Sequence, residues 1–69
     1  MPYAVIDDLP PSVRAHLPTH AQEIFLAAFN NAWNEHSGET DGEAAAFRIA
    51  WAAVKWRYRK SGDRWVPVR

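Results

Sequence analysis

The stretch from Ala46 to Tyr58, AFRIAWAAVKWRY, constrains the fold more than any other part of the chain. Phe47, Ala50, Trp51, Val54 and Tyr58 recur at offsets of 0, 3, 4, 7 and 11, which is one face of an α-helix and not a strand. The alanines around Trp51 leave room for a second helix to approach. Phe47 and Trp51 then supply most of the apolar contact area. A helix of this length cannot bury such a face alone in water, so the remaining residues must cover it. With 69 residues in all, the expectation is one domain over residues 1–69, with a modest core and a thin stability margin.

Ile24, Phe25, Ala28, Phe29, Ala32, Trp33 and His36 hold the same period, predicting a helix from about Thr19 to Ser37, ended by Gly38. Thr19 with Gln22 and Thr40 with Glu43 each have the spacing of a capping box. The central helix is therefore expected from about Asp41 to about Lys60, with Arg57, Arg59 and Lys60 in its last turn and Gly62 as its left-handed stop. A shorter helix, about Pro10 to Leu17, is read from an Asp8 cap and the apolar stripe Leu9, Val13, Leu17, with Pro18 ending it. Tyr3–Ile6 and Arg64–Val66 have weak β character, and pairing them would staple the termini over the core. The predicted class is mainly α: one short helix, two long packed helices and a minor two-stranded β element joining the termini.

Formal net charge is zero, but the charges are segregated. From Met1 to Phe47 one basic residue stands against seven acidic ones; from Arg48 to Arg69 seven basic residues stand against Asp63 alone. Such asymmetry fits a basic surface for an anionic partner, or two halves attracting each other across the fold. The overall balance, with no block of five cations, favours the second reading. There is no cysteine, which excludes disulfides and thiolate metal sites. No apolar run is long enough to span a bilayer and the N-terminus lacks a signal-peptide layout, so a cytoplasmic protein is expected.

His16, His20 and Glu23 have spacings of four and three, which suit a metal, but Pro18 interrupts the helix between the histidines and no fourth ligand follows. His20 reads instead as a structural residue near the N-cap, satisfying open backbone groups or packing at the helix junction, and no metal is expected. Glu35, Glu39, Asp41 and Glu43 surround the interhelix turn without the spacing of a calcium loop, and read as solvated carboxylates. Ser12, Ser37 and Ser61 lack a matching histidine and acid, and there is no glycine-rich phosphate loop. Neither enzymatic activity nor a cofactor is expected. Of four tryptophans, Trp33 and Trp51 fall on the core faces, whereas Trp56 joins Ile49 and Ala53 on a second stripe. Helical spacing predicts burial of that stripe under the terminal arms. The alternative is an exposed anchor beside Arg57, Lys60 and Arg64, with the aromatic and basic character of a protein or single-strand-binding surface.

Met1-Pro-Tyr3 followed by Asp8-Leu-Pro10, then Leu17-Pro18-x-His20-Ala-Gln-Glu-Ile24, Ala28-Phe-Asn-x-Ala-Trp33, Arg48-x-Ala50-Trp-Ala-Ala-Val-Lys55, Tyr58 and Trp65-Val66 form a collinear set over nearly the whole chain. In this it resembles the ChaB family of small bacterial and viral proteins. The interhelix loop is shorter than in many relatives, and Phe47 and Trp56 stand where relatives often have polar or charged residues. The resemblance implies a small helical cytoplasmic fold with a minor β element, no known catalytic residues and no established cofactor. It also implies regulation of a sodium (calcium)/proton antiporter. The expected function is that of a non-enzymatic regulatory or adaptor protein contacting a protein partner, possible targets including the cytoplasmic side of such an antiporter. Contact is expected through Trp56 as anchor with Arg57, Arg59, Lys60 and Arg64. The alternative is nucleic-acid binding through the same basic end, marked by a steep loss of affinity with salt.

Overall fold

The computed structural model describes residues 3–68; Met1 and Pro2 of the opening arm and Arg69 of the basic half lie outside the described residues. A 3₁₀ turn, Ile6–Asp8, leads into α1, Pro11–His16. Then come α2, Thr19–Glu35, and α3, Gly42–Arg57, followed by β1, Tyr58–Ser61, and β2, Arg64–Pro67. The short connection between α2 and α3 turns the chain back on itself, and the packing of these two helices dominates the fold. Phe25, Phe29, Leu9 and Val54 are the largest fully buried side chains. Ala46 and Ala50 are also fully buried, and Phe47 and Trp51 are half-buried, so the face read from the sequence is the core face. The rings meet edge-on, Phe29 with Phe47 at 4.9 Å and Phe25 with Trp51 at 5.3 Å, an arrangement that adds to plain area burial.

The β element differs from expectation. It does not join the termini: β1 pairs antiparallel with β2, in a register running from Ser61↔Arg64 to Tyr58↔Pro67. Gly62 has φ +65° while Asp63 has negative φ, the sign pattern of a two-residue hairpin turn with glycine first. Gly62 therefore turns a hairpin rather than stopping a helix, and α3 ends at Arg57 instead of Lys60. Closing a two-residue loop costs far less chain entropy than bringing residues 3–6 to the other end of the chain. The hairpin also sets Trp65 against Trp51, ring centroids 5.8 Å apart. The Val68 N–H donates to the Arg57 carbonyl at 2.8 Å and extends the ladder back to the helix end.

Neither capping box forms. Pro18 and Asp41 occupy the cap positions of α2 and α3 without side-chain hydrogen bonds, and Thr19 is already helical. The Gln22 amide reaches outward instead, donating to the Leu17 carbonyl at 2.8 Å and the Arg14 carbonyl at 3.3 Å. It thus satisfies carbonyls left open where α1 ends. Asp8 does not cap α1 either; Pro10 holds that position and Pro11 opens the helix.

Residues 3–5 lie along α2 without forming a strand. The Tyr3 N–H donates to Asn30 Oδ1 at 3.0 Å, and Asn30 Nδ2 donates to the Tyr3 carbonyl at 2.8 Å. One amide side chain thus does what a neighbouring strand would do. The Tyr3 ring lies 4.9 Å from Phe29. Its phenol is held above the ordinary tyrosine value by burial first and by Glu43 second. Asn30→Ala should lower stability by about 1–2 kcal/mol, the net worth of two such bonds. Urea denaturation would show it, and an unchanged midpoint would mean that the Tyr3 ring alone retains the arm.

Candidate functional site

Trp56 is 82% exposed, which reverses the expectation that the terminal arms cover it. The reason lies in the hairpin: Arg64–Pro67 folds back on β1, and Tyr3 is tied to Asn30, so neither of these segments covers the second stripe of α3. Ile49, 38% exposed, and the half-buried Ala53 continue that stripe from Trp56. A shallow hollow lined by Ile24, Ala53, Trp56 and Arg57 crosses from α3 to α2. A second, lined by Ala52, Lys55 and Trp56, lies on the adjoining side of the same helix. Among the described residues no carboxylate lines either hollow.

The five residues expected to contact a partner are all exposed but do not share one face. Trp56 and Arg57 belong to the last turn of α3. Arg59 and Lys60 are successive strand residues and point to opposite sides of the hairpin. The cross-strand pairing Lys60↔Trp65 puts Lys60 on the side where Trp65 meets Trp51. Arg59 and Arg64 share the other side, diagonal to each other across the two strands. Sequence reading missed Ile24, which is half-buried and packed on the core while also lining the hollow. It also passed over Arg48, although the offset of seven between Arg48 and Lys55 was visible as a helical repeat.

Among the described residues, the acidic and basic halves do not meet as direct ion pairs. Among the described residues, the one contact within 4 Å between a basic and an acidic side chain is His36 Nδ1 with Glu39 Oε2, a hydrogen bond of 2.8 Å in the interhelix turn. The cations at the far end of α3 and on the hairpin therefore have no carboxylate held against them. The attraction across the fold that the charge balance favours therefore acts without direct ion pairs among the described residues.

The remaining candidates fall apart in space. His16 Nδ1 bonds the Ser12 carbonyl at 2.7 Å, while His20 Nδ1 lies 3.1 Å from the Tyr58 hydroxyl. His20 thus links the start of α2 to the start of β1, a long-range side-chain contact in place of the N-cap or helix-junction role read from the sequence. Among the described residues no three His, Asp or Glu side chains are grouped to hold a metal ion. Ser12 lies in α1, Ser37 in the turn after α2 and Ser61 at the hairpin turn. Among the described residues no helix is long and apolar enough to cross a membrane.

Three comparisons bear on this arrangement. A family model described as ChaB matches residues 9–68. The chain is 45% identical over 69 residues to an Escherichia coli (strain K12) protein named "Putative cation transport regulator ChaB", covering 91% of each. It is also 34% identical over 67 residues to a protein of Lymantria dispar multicapsid nuclear polyhedrosis virus, covering 97% of this chain and 65% of that one. A solution NMR structure bearing the same ChaB name superposes with a TM-score of 0.84 at 41% identity, over 99% of this chain and 100% of that one.

Proposed function

The chain belongs to the ChaB family, and on that premise we propose that it is a non-enzymatic regulator of cation transport that works by protein–protein contact. Its target is the cytoplasmic side of a cation/proton antiporter. The regulatory part of this reading rests on the name of the Escherichia coli relative. The contact part is carried by one observation: a tryptophan 82% exposed on an uncovered apolar stripe, beside cations with no carboxylate against them. An exposed indole flanked by arginine is the residue type that dominates binding energy at protein interfaces. Arg57 borders the anchor directly, and Arg59, Lys60 and Arg64 act at the rim, steering an acidic partner.

The test is affinity capture from host lysate on immobilised protein, with and without nuclease, alongside Trp56→Ala and the Arg57→Glu/Lys60→Glu pair. We expect protein capture that survives nuclease and falls at least about tenfold with Trp56→Ala, the loss typical of an anchor residue. Thermal stability should be unchanged, because the side chain supports no packing. Capture indifferent to all three substitutions would remove this face from the function. Capture abolished by nuclease would transfer the basic end to nucleic-acid binding, with Arg59 and Arg64 on their shared hairpin side as the phosphate contacts.

A further inference from the structure

The uncovered face of α3 carries two parallel rows. Ile49, Ala53 and Trp56 stand at offsets of 0, 4 and 7 and form the apolar row. Arg48, Ala52 and Lys55 stand one residue earlier at the same offsets, and all three are exposed. One residue is about 100° of helix rotation, so a cationic rail runs beside the apolar row for about two turns, roughly 10 Å. Ile24 of α2 borders the apolar row on its other side. Ala52 and Ala53 keep the surface low between the larger side chains, which lets a helix backbone come close. Among the described residues, no carboxylate lines either hollow along the rows, and no acidic group lies within ion-pair distance of Arg48 or Lys55.

We infer that this face docks a short amphipathic helix whose apolar side covers Ile49, Ala53 and Trp56 and whose carboxylates, on one flank, lie along Arg48 and Lys55. The inference rests on the partner-contact reading above and names the chemistry of the partner. A helix is the matching occupant because both rows repeat at helical spacing over a stretch that only straight, parallel contacts can follow. The charge on the occupant follows from the rail: a basic flank would meet like charges at both ends, and an acidic flank would meet opposite ones.

Two fluorescein-labelled amphipathic peptides of equal length and identical leucine stripe test this, one with glutamates and the other with lysines on the flank. Fluorescence anisotropy on the full chain should show the glutamate peptide binding at least tenfold more tightly at low ionic strength, with the preference shrinking at high salt. Trp56→Ala should abolish binding of both. Arg48→Glu combined with Lys55→Glu should invert the preference, so that the lysine peptide becomes the tighter ligand. All three positions are exposed, and far-UV circular dichroism would verify that the helices persist. Equal affinity for the two peptides, or a preference that survives the charge reversal, would overturn the inference. If that happens while capture from lysate still depends on Trp56, the acidic helix is rejected and the contact face stands.

Discussion

Replacing Phe29 by alanine is expected to leave the chain largely unfolded at 25 °C. Phe29 is fully buried, and its ring sits within 4.9 Å of those of Tyr3 and Phe47 and 6.1–6.2 Å of those of Trp33 and Phe25. It is therefore the point where the opening arm, α2 and α3 meet. Phenylalanine-to-alanine changes in cores cost about 3–5 kcal/mol, the lost transfer energy plus the cavity left behind. A core in a chain below about 70–80 residues rarely supplies more than about 3–5 kcal/mol altogether. The two quantities are of the same size, so the folded fraction should fall from nearly all to a minority. Far-UV circular dichroism at 25 °C would show the loss of helix directly. Phe29→Leu, which keeps most of the volume, should retain a cooperative urea transition at a lower midpoint. A Phe29→Ala protein that melts cooperatively near the wild-type temperature would mean that the aromatic cluster is not the main source of stability.

The second large effect is expected at Gly42, the first residue of α3. A Cβ built there would lie 2.8 Å from the His36 carbonyl oxygen, closer than real Cβ atoms come. That oxygen belongs to the backbone and already accepts the Glu39 N–H at 3.1 Å, so it cannot swing aside without opening the turn. Gly42→Ala should cost about 1–3 kcal/mol, the usual penalty of overpacking. Gly38, in the same turn, is glycine for another reason. Its φ is +91° and nothing stands within 4 Å of its missing Cβ. Gly38→Ala should cost about 1–2 kcal/mol through left-handed backbone strain, and Gly38→Asn should recover part of it because asparagine tolerates that region. Gly42→Asn should recover nothing. Chemical denaturation of the four variants separates steric exclusion from backbone strain, and equal rescue at both positions would defeat the distinction.

The uncovered face of α3 leaves the proposed contact surface separate from the core. Its two long helices bury Phe25, Phe29, Ala46, Ala50 and Val54 on their shared side. Trp56 takes no part in that packing. The proposed contact and the core packing therefore lie on different sides of one helix. Substitutions at the exposed Arg48, Lys55 and Trp56 are expected to avoid the stability cost that attends Phe29.

By itself the sequence determined the two long helices, because a period of 3.6 over many residues has no other economical reading. Among them it identified Ala50 and Val54 as core, and it placed the acids around the interhelix turn and the cations at the other end of α3. It also showed that Ile49, Ala53 and Trp56 form a second stripe. Periodicity states which residues share a face, but not whether another element arrives to cover it. That was decided in three dimensions. Strand pairing went to the nearest segment, since a two-residue turn at Gly62 and Asp63 is far cheaper to close than a loop spanning the chain. Asn30 held the opening arm through hydrogen bonds that no hydrophobic pattern announces. With Tyr3 and the second strand committed elsewhere, Trp56 was left in solvent. The capping boxes failed for a related reason: spacing brings a side chain within reach of a helix end, but Gln22 found open carbonyls of α1 within the same reach. Local pattern settled what each segment is, and competition among distant groups for the same partners settled what each segment touches.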